Sequence, residues 1–234
     1  MSLSLKRKLP SLYKFLKKFE KFIPYKFKLW DQKNYDLNLK IVSTLRLWKS
    51  WPRLKLEAQE VFNAYNGGDF IDVGAHEGIY SFILAPKSEE KNVFVLCEPD
   101  IKIKKDLLEN VNTIKKNFKN LKIETIFQPI GNGLDVIEHK TIYGHSTFVN
   151  KSFNNNENKF KSKDLHKSIK VDSLVDQLKL NPKFLKIDVE GSEHEVLEGA
   201  AETLKKFRPL IMIEKHPKMI PARISIEVID DFLK

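Results

Sequence analysis

Two acidic residues, each at the end of a short apolar segment, are the positions where this chain is best suited to hold a ligand. Asp72 ends the segment that starts at Phe70, and a glycine-containing turn up to Gly78 follows at once. Glu98 comes directly after the next apolar segment, Val93–Cys97. A glycine turn after a buried strand lets the backbone approach a ligand, and an acid at the tip of the next strand can hold ribose hydroxyls. Together they predict a site for a nucleoside-containing cofactor.

A second group of acids lies further along the chain. Asp188 ends another apolar segment, and Glu190 and Glu193 follow in the turn before a predicted helix. Three carboxylates there suit a sulfonium cation, a hydroxyl that needs a base, or a divalent metal. A simpler interpretation covers part of the pattern, because Ser192 and Glu195 match a capping box and Glu193 suits the positive end of a helix dipole. That interpretation does not explain Asp188 and Glu190.

These motifs lie in a regular alternation of predicted strands and helices. Predicted strands cover residues 70–73, 93–97, 123–127, 169–171, 184–187 and 210–214. Predicted helices cover residues 56–65, 173–180 and 192–207, and two more begin near Gly78 and Pro99. Residues 134–149 predict short antiparallel strands, and residues 150–163 predict a loop. The order is typical of a doubly wound α/β fold with a mainly parallel sheet and a ligand crevice at the carboxyl ends of its strands.

Composition narrows the classes of protein that fit. The chain has 234 residues and a net charge of +10, and residues 1–60 carry the whole excess, with 15 Lys and Arg against 5 Asp and Glu. The remaining residues are balanced, which argues against a nucleic-acid partner. Cys97 is the one cysteine, so an intrachain disulfide is excluded and a buried core thiol is expected. With neither a bilayer-length apolar run nor a signal peptide, a cytoplasmic location is predicted.

The basic N-terminal part has a pattern of its own. Between residues 12 and 23 apolar side chains fall on one side of a helix and lysines on the other. Two interpretations remain: a helix packed on the protein's own core or in a dimer, and a helix lying peripherally at an anionic membrane surface. We therefore divide the chain into a basic amphipathic extension, residues 1–53, and a catalytic domain, residues 54–234. Residues 25–56, rich in tryptophan, resemble a lead-in or a substrate lid.

The ordered motifs resemble the FkbM family of methyltransferases over roughly residues 54–217. The resemblance rests on DVGAHEG at residues 72–78, CEPD at 97–100, LKIDVEGSEHEVLEGA at 185–200, RP at 208–209 and IEKHP at 213–217. It implies a Rossmann-like fold of the class I methyltransferase type and an enzyme dependent on S-adenosyl-L-methionine. The expected activity is methylation of a hydroxyl on a sugar, a glycan or a secondary metabolite.

The resemblance also implies roles for individual residues. The cofactor-binding residues are expected to be Asp72, Gly74, Ala75, His76, Gly78, Glu98, Pro99, Pro129 and Ile130. His76 stands where a middle glycine is common, a departure that the family tolerates. The resemblance also places Asp188 near the sulfonium or the acceptor. A sugar hydroxyl is weakly acidic, so a nearby base should assist the transfer. On that ground the candidate catalytic residues are Asp188, Glu190 and His145, with the two acids favoured as the base. His194 and His216 are further candidates for the base, and no metal ligands are assigned because the spacing is not diagnostic.

Two other functions remain open. A nicotinamide-dependent oxidoreductase would also use an acid after the second strand, although the full Gly-x-Gly-x-x-Gly turn is missing. A non-catalytic adaptor recruited to membranes would explain the basic start of the chain.

A domain of this type usually continues after residue 214 through a helix and an antiparallel strand pair, whereas this sequence stops at Lys234. We therefore expect a truncated chain whose sheet lacks its last strands.

Overall fold

The computed structural model describes residues 24–140, 146–150 and 165–216. Its strands are β1 (Pro24–Lys28), β2 (Asn34–Asn38), β3 (Asp69–Val73), β4 (Val93–Cys97), β5 (Lys122–Ile126), β6 (Asp135–Lys140), β7 (Ser146–Asn150), β8 (Leu165–Lys167), β9 (Pro182–Ile187) and β10 (Leu210–Ile213). Its α-helices are α1 (Leu39–Ser50), α2 (Pro52–Ala64), α3 (Ile79–Leu84), α4 (Lys104–Asn117), α5 (Val171–Leu178), α6 (Glu193–Glu198) and α7 (Ala201–Phe207). A short 3-10 helix covers Ala85–Lys87.

Five parallel strands form the central sheet, in the order β10-β9-β3-β4-β5. The chain moves outward from β3 through β4 to β5, and then returns to the other side of β3 with β9 and β10. The strand order therefore reverses beside β3. In open α/β sheets a ligand crevice forms at the carboxyl ends of the strands at such a point. The predicted Rossmann-like α/β fold is confirmed.

Hydrophobic side chains fill both faces of this sheet, because successive residues of a strand point to opposite sides. Phe70 in β3, Phe94 in β4 and Phe184 in β9 lie opposite one another in register and pack on one face with residues of α1 to α4. The ring centroids of Phe94 and Phe184 lie 5.3 and 5.4 Å from that of Phe70. Ile71 and Leu185 point to the other face, which α5, α6 and α7 cover. Helices on both faces explain why the strands read as continuous apolar segments.

The segment from β1 to α1 packs into the same core. Leu29 and Leu45 are fully buried in the cluster that covers the first face of the sheet. Asn117 at the end of α4 accepts a hydrogen bond from the Asp36 backbone at 3.0 Å and donates one to its carbonyl at 2.9 Å. Part of the region between residues 25 and 56 therefore packs into the core next to the sheet. The domain boundary at residue 53 stays a prediction.

Three other predictions lie outside the described residues, wholly or almost wholly: the amphipathic helix at residues 12–23, the loop at residues 150–163 and the C-terminal region after residue 216. Among the helices that the structure describes, none combines the length and the apolar character needed to cross a bilayer. Peripheral contact with a membrane stays a prediction.

The predicted helix over residues 192–207 is wrong in one respect, because the structure has two helices there. The break falls at Gly199, where a Cβ atom would lie 2.0 Å from the carbonyl oxygen of Gly131. The loop after β5 therefore passes too close to the break for any side chain at residue 199. The predicted strand over residues 169–171 is also corrected. Ile169 makes only an isolated bridge with Ile130, and α5 already begins at Val171. The predicted antiparallel strands are confirmed by β6 and β7.

Candidate functional site

A cavity of about 260 Å³ opens at the carboxyl ends of β3, β4 and β9. One part of its wall is apolar and another is acidic. The residues that line it are Val73, Gly74, His76, Cys97, Glu98, Pro99, Asp100, Ile103, Pro129, Ile130, Phe148, Asp188, Val189, Glu190 and Ser192. A concave, mostly apolar site with a few convergent polar groups is what a small-molecule ligand requires.

The turn after β3 forms the floor of the cavity. The backbone amides of Gly74 and Ala75 both donate to the carbonyl of Cys97, at 2.9 and 3.0 Å, so the turn is tied to the end of β4. Gly74 has a φ of +80°, and a Cβ atom there would lie 1.8 Å from the carbonyl oxygen of Asp188. Only glycine fits this close approach of two strand ends. The requirement comes from the protein's own backbone and brings Asp188 next to the turn.

The carboxylate of Glu98 is held in a fixed orientation. Oε2 accepts a hydrogen bond from the backbone amide of His76 at 2.8 Å, and Oε1 accepts one from that of Asp100 at 2.8 Å. Burial raises the pKa of Glu98, and these two backbone hydrogen bonds partly offset the increase. Each carboxylate oxygen can accept more than one hydrogen bond. Glu98 therefore presents two positioned acceptors to a ligand in the cavity.

A buried ion pair lies beneath the turn. The Lys186 ammonium is 3.1 Å from Asp72 Oδ1 and 3.4 Å from Asp188 Oδ2, and it donates to the carbonyl of Gly74 at 2.8 Å. Neither Asp72 oxygen has a hydrogen bond of good geometry among the described residues, so Lys186 compensates its charge mainly by proximity. Burial raises the pKa of Asp72. Burial lowers the pKa of Lys186, but the carboxylates of Asp72 and Asp188 outweigh it and the net pKa is raised. The pair connects β3, β9 and the turn.

The acidic end of the cavity surrounds an imidazole. His216 Nδ1 lies 2.8 Å from Oε1 of the fully buried Glu193. His216 Nε2 lies 3.7 Å from Asp188 Oδ1 and 3.7 Å from Glu190 Oε2. The hydrogen bond to Glu193 raises the pKa of His216 to about 9; burial acts in the opposite direction, and the charges of the three acids act with it.

The raised pKa of His216 predicts a pH-dependent stability. The imidazole has a pKa of about 6.5 in an unfolded chain. Its stabilising charge is therefore fully present below about pH 6.5 and is lost as the pH rises through about 9. We expect His216→Gln to lower the free energy of unfolding at about pH 6 and to have a much smaller effect at about pH 10, measured by urea denaturation. His194→Gln is the control, and an equal His216→Gln effect at both pH values would contradict the assignment.

The structure brings most of the predicted site residues together. Those that line the cavity are Gly74, His76, Glu98, Pro99, Pro129, Ile130, Asp188 and Glu190. Asp72, Ala75 and Gly78 do not line it: Asp72 lies beneath the turn, Ala75 is in the core, and Gly78 precedes α3. His145 lies outside the described residues. His194 pairs with Glu198 one helical turn away, at 3.0 Å, and is not among the residues that line the cavity.

Several residues of the site were missed or given another role. Ser192 does not cap α6 and instead donates to the carbonyl of Phe148 at 2.5 Å, so the capping-box interpretation is wrong for its side chain. Glu193 orients His216. Lys186 had no predicted role, although a lysine inside a buried apolar strand was a visible signal, since such a charge needs a partner. Phe148, which brings β7 to the cavity, gave no signal in the sequence.

Cys97 ends β4 beside the cavity and is fully buried. Burial raises the pKa of its thiol, as do the nearby charges of Asp72 and Glu98. The thiolate is the reactive form of cysteine. The expected role as a buried core thiol is therefore confirmed.

Comparison with known proteins indicates the family of the chain. The family model described as the methyltransferase FkbM domain matches residues 72–234. Among solved structures, the crystal structure of methyltransferase FkbM from Methylobacillus flagellatus matches with 19% sequence identity and a TM-score of 0.45, covering 64% of this chain and 33% of that one. The present chain thus spans about a third of that protein's length. No curated protein matches the chain. Because the family model covers more than half of the sequence, including the turn after β3, Glu98 and the acidic end of the cavity, the chain belongs to the FkbM methyltransferase family.

Proposed function

We propose that the protein is an S-adenosyl-L-methionine-dependent O-methyltransferase whose acceptor is a hydroxyl of a sugar, a glycan or a secondary metabolite. The observation that carries the proposal is the carboxylate of Glu98, fixed by two backbone amides in the wall of the cavity. A carboxylate at the end of the second strand is suited to the two hydroxyls of a ribose. Because the chain belongs to a methyltransferase family, we assign this ribose to S-adenosyl-L-methionine.

The chemistry of the cavity wall fits this cofactor from end to end. Ile103, Pro129 and Ile130 offer apolar surface on which a flat base can pack. Glu98 stands in the middle, where it can accept hydrogen bonds from a ribose. Asp188 lies at the other end, where a carboxylate favours a sulfonium cation. The order apolar, acceptor, anion along one cavity corresponds to the order of base, ribose and sulfonium in the cofactor.

The cofactor supplies an electrophilic methyl group when bound, and the chain's residues orient the acceptor. Asp188 and Glu190 line the same part of the wall, so either carboxylate can accept a hydrogen bond from an acceptor hydroxyl and take its proton. The ion pair with Lys186 holds Asp188 in place. Holding the acceptor in a reactive orientation supplies a large part of the rate enhancement in such reactions.

Calorimetric titration with S-adenosyl-L-methionine, and separately with NAD, tests the cofactor. We expect saturable binding of one S-adenosyl-L-methionine per chain and no saturable binding of NAD. Heat with NAD alone would contradict the proposal and favour an oxidoreductase. The acceptor class is tested by transfer of a labelled methyl group to a panel of glycans and small hydroxylated metabolites, with lipids, peptides and RNA as competing classes.

Glu98 provides the residue-level prediction. Replacing it with alanine removes both ribose acceptors and leaves the amides of His76 and Asp100 without their partner. We expect at least a tenfold weaker affinity for S-adenosyl-L-methionine, since the loss of one hydrogen bond to a charged group costs about 1.5–3 kcal/mol. We also expect a lower free energy of unfolding, because the carboxylate holds the turn together. Calorimetry and urea denaturation measure the two effects.

Glu124 on β5 is the matched control, because it is an exposed acid on the strand next to β4. Glu124→Ala is expected to leave the affinity unchanged. Glu98→Gln keeps one acceptor oxygen and should bind with intermediate affinity. Affinities that are equal in the wild type and in Glu98→Ala would remove Glu98 from the cofactor site.

A further inference from the structure

Three side chains at the acidic end of the cavity converge on one point. Asp188, Glu190 and His216 each offer one ligand atom, and these atoms all lie within 4.8 Å of one another. His216 Nε2 is 3.7 Å from an oxygen of each acid. That distance exceeds the roughly 3.2 Å limit of a good hydrogen bond. It approaches the separation of about 3.0–3.4 Å between atoms that share one cation at about 2.1 Å. The three atoms therefore converge at ion-pair distances, and a modest side-chain adjustment would bring them to the spacing of ligands of a common ion.

Glu193 fixes the imidazole that faces this point. Its Oε1 lies 2.8 Å from Nδ1 of His216 and also accepts a hydrogen bond from the backbone amide of Gly191 at 3.0 Å. Glu193 is fully buried, and its Oε2 has no hydrogen-bond partner within the described part of the chain. With Nδ1 bound to Glu193, the other ring nitrogen is left to face Asp188 and Glu190. A carboxylate behind a histidine in this way is the usual second partner of a metal-binding imidazole.

Lys186 fixes the orientation of the Asp188 carboxylate. Its Oδ2 lies 3.4 Å from the Lys186 ammonium, and its Oδ1 is the atom that faces His216. The buried lysine therefore occupies one oxygen and leaves the other directed to the convergence point. Asp188 and Glu190 line the cavity, so an ion placed between them would lie where a ligand enters.

We propose that Asp188, Glu190 and His216 bind one divalent transition-metal ion, such as Mn²⁺ or Zn²⁺, at the acceptor end of the cavity. Two carboxylate oxygens and one imidazole nitrogen form a mixed oxygen and nitrogen donor set suited to these ions. Two acids give the set a charge of −2, which a divalent cation neutralises. An ion bound at Nε2 replaces the proton that this nitrogen carries in the ion-free protein. The alternative is a structural ion pair of imidazolium with the surrounding acids.

The metal site identifies a class of acceptor, and this step rests on the proposed methyltransferase function. Three protein ligands leave coordination positions open toward the cavity. An acceptor with two neighbouring oxygens, such as a vicinal diol or a hydroxy acid, can occupy them together. The ion would lower the pKa of a hydroxyl bound to it, and the proton would pass to the carboxylate oxygen of Glu190 that does not bind the ion. The hydroxyl oxygen would then take the methyl group, and the sulfonium would leave as a neutral thioether. The acceptor class is therefore a chelating hydroxyl compound.

Metal binding is tested on the whole chain, freed of ions by a chelator and without any methyl donor. We expect calorimetry with Mn²⁺, and separately with Zn²⁺, to show one saturable site per chain. Glu190→Gln and His216→Gln should each weaken the affinity at least tenfold. Pulsed electron paramagnetic resonance of the Mn²⁺ form should show coupling to an imidazole nitrogen that His216→Gln abolishes. Asp188→Asn is less informative, because it also removes a partner of Lys186.

Glu193 is a positioning residue, and Glu193→Gln should weaken Mn²⁺ binding about 10–100-fold while the nitrogen coupling persists at saturation. Glu198→Gln and His194→Gln are the matched controls, since this pair lies on the same helix outside the triad, and both should bind like the wild type. Absence of saturable binding in the wild type would overturn the proposal, and so would equal affinities in all variants. Because no methyl donor is used, either result leaves the proposed methyltransferase function to its own test.

Discussion

Replacing Lys186 with methionine is expected to lower the free energy of unfolding by about 3–5 kcal/mol at pH 7, because removing one partner of a buried ion pair leaves the other charge uncompensated. Lys186 is 3% exposed and Asp72 is fully buried, so water cannot take over the role of the ammonium. The variant also loses the hydrogen bond to the carbonyl of Gly74. Urea denaturation followed by circular dichroism measures the loss.

Two further variants separate charge from packing. Lys183→Met lies on the same strand but at an exposed position, and it should change the stability by less than about 0.5 kcal/mol. The double variant Asp72→Asn with Lys186→Met removes both charges and should recover part of the loss. Without Lys186 the pKa of Asp72, already raised by burial, rises further. The deficit of Lys186→Met should therefore shrink as the pH is lowered and Asp72 becomes neutral. A deficit below 1 kcal/mol at pH 7 would contradict the ion-pair assignment.

The fold could be predicted because its signals are local. Segments such as Val93–Cys97 are apolar without alternation, as expected of strands buried on both faces, and the helices between them show a repeat near 3.6 residues. The break at Gly199 could not be predicted in the same way. At this break the carbonyl of Gly131, which is 68 residues away in the sequence but adjacent in space, leaves no room for a side chain. A local pattern carries no information about such a contact.

In the candidate site, too, residues with a local sequence signal could be predicted, and contacts between distant segments could not. Glu98 and Asp188 were predicted because each ends an apolar strand, and the ends of parallel strands meet at one edge of the sheet. The partnership of Glu193 with His216 joins α6 to the residues after β10, and nothing in either segment alone indicates it. Lys186 belongs to a visible class of signal, a charge within a buried strand, whose partner could only be identified from the sheet register. In that register it lies opposite Asp72.

Backbone conformation explains the glycine pattern of the turn after β3. Gly74 and Gly78 have φ values of +80° and +75°, and His76 has +48°. All three residues therefore lie in the left-handed region, where glycine has no steric penalty. The histidine at the position where a middle glycine is common is tolerated because its strain is modest, and its amide is stabilised by Glu98. Gly74 differs, since it has both a positive φ and no space for a side chain.

Replacing Gly74 with alanine is accordingly expected to lower the free energy of unfolding by about 2–5 kcal/mol. This is the sum of about 1–2 kcal/mol for the left-handed backbone conformation and about 1–3 kcal/mol for overpacking. The added Cβ would lie 1.8 Å from the carbonyl oxygen of Asp188, a backbone atom that cannot rotate away. The end of β9 must therefore move away from β3, which displaces Asp188 from the cavity wall. We expect binding of S-adenosyl-L-methionine to be lost in calorimetry even under conditions where the variant is folded.

Gly133→Ala is the matched control for this prediction. Gly133 also has a positive φ, +87°, but its nearest neighbour would be the Cε atom of Lys170 at 3.0 Å. A flexible side chain can move aside, so backbone strain alone should lower the free energy of unfolding of this variant, by about 1–2 kcal/mol. Its affinity for the cofactor should be unchanged. The difference between the two alanine variants isolates the contact between the turn and Asp188. If both variants lost the same stability and both still bound the cofactor, the close approach of β3 and β9 would not be what shapes the site.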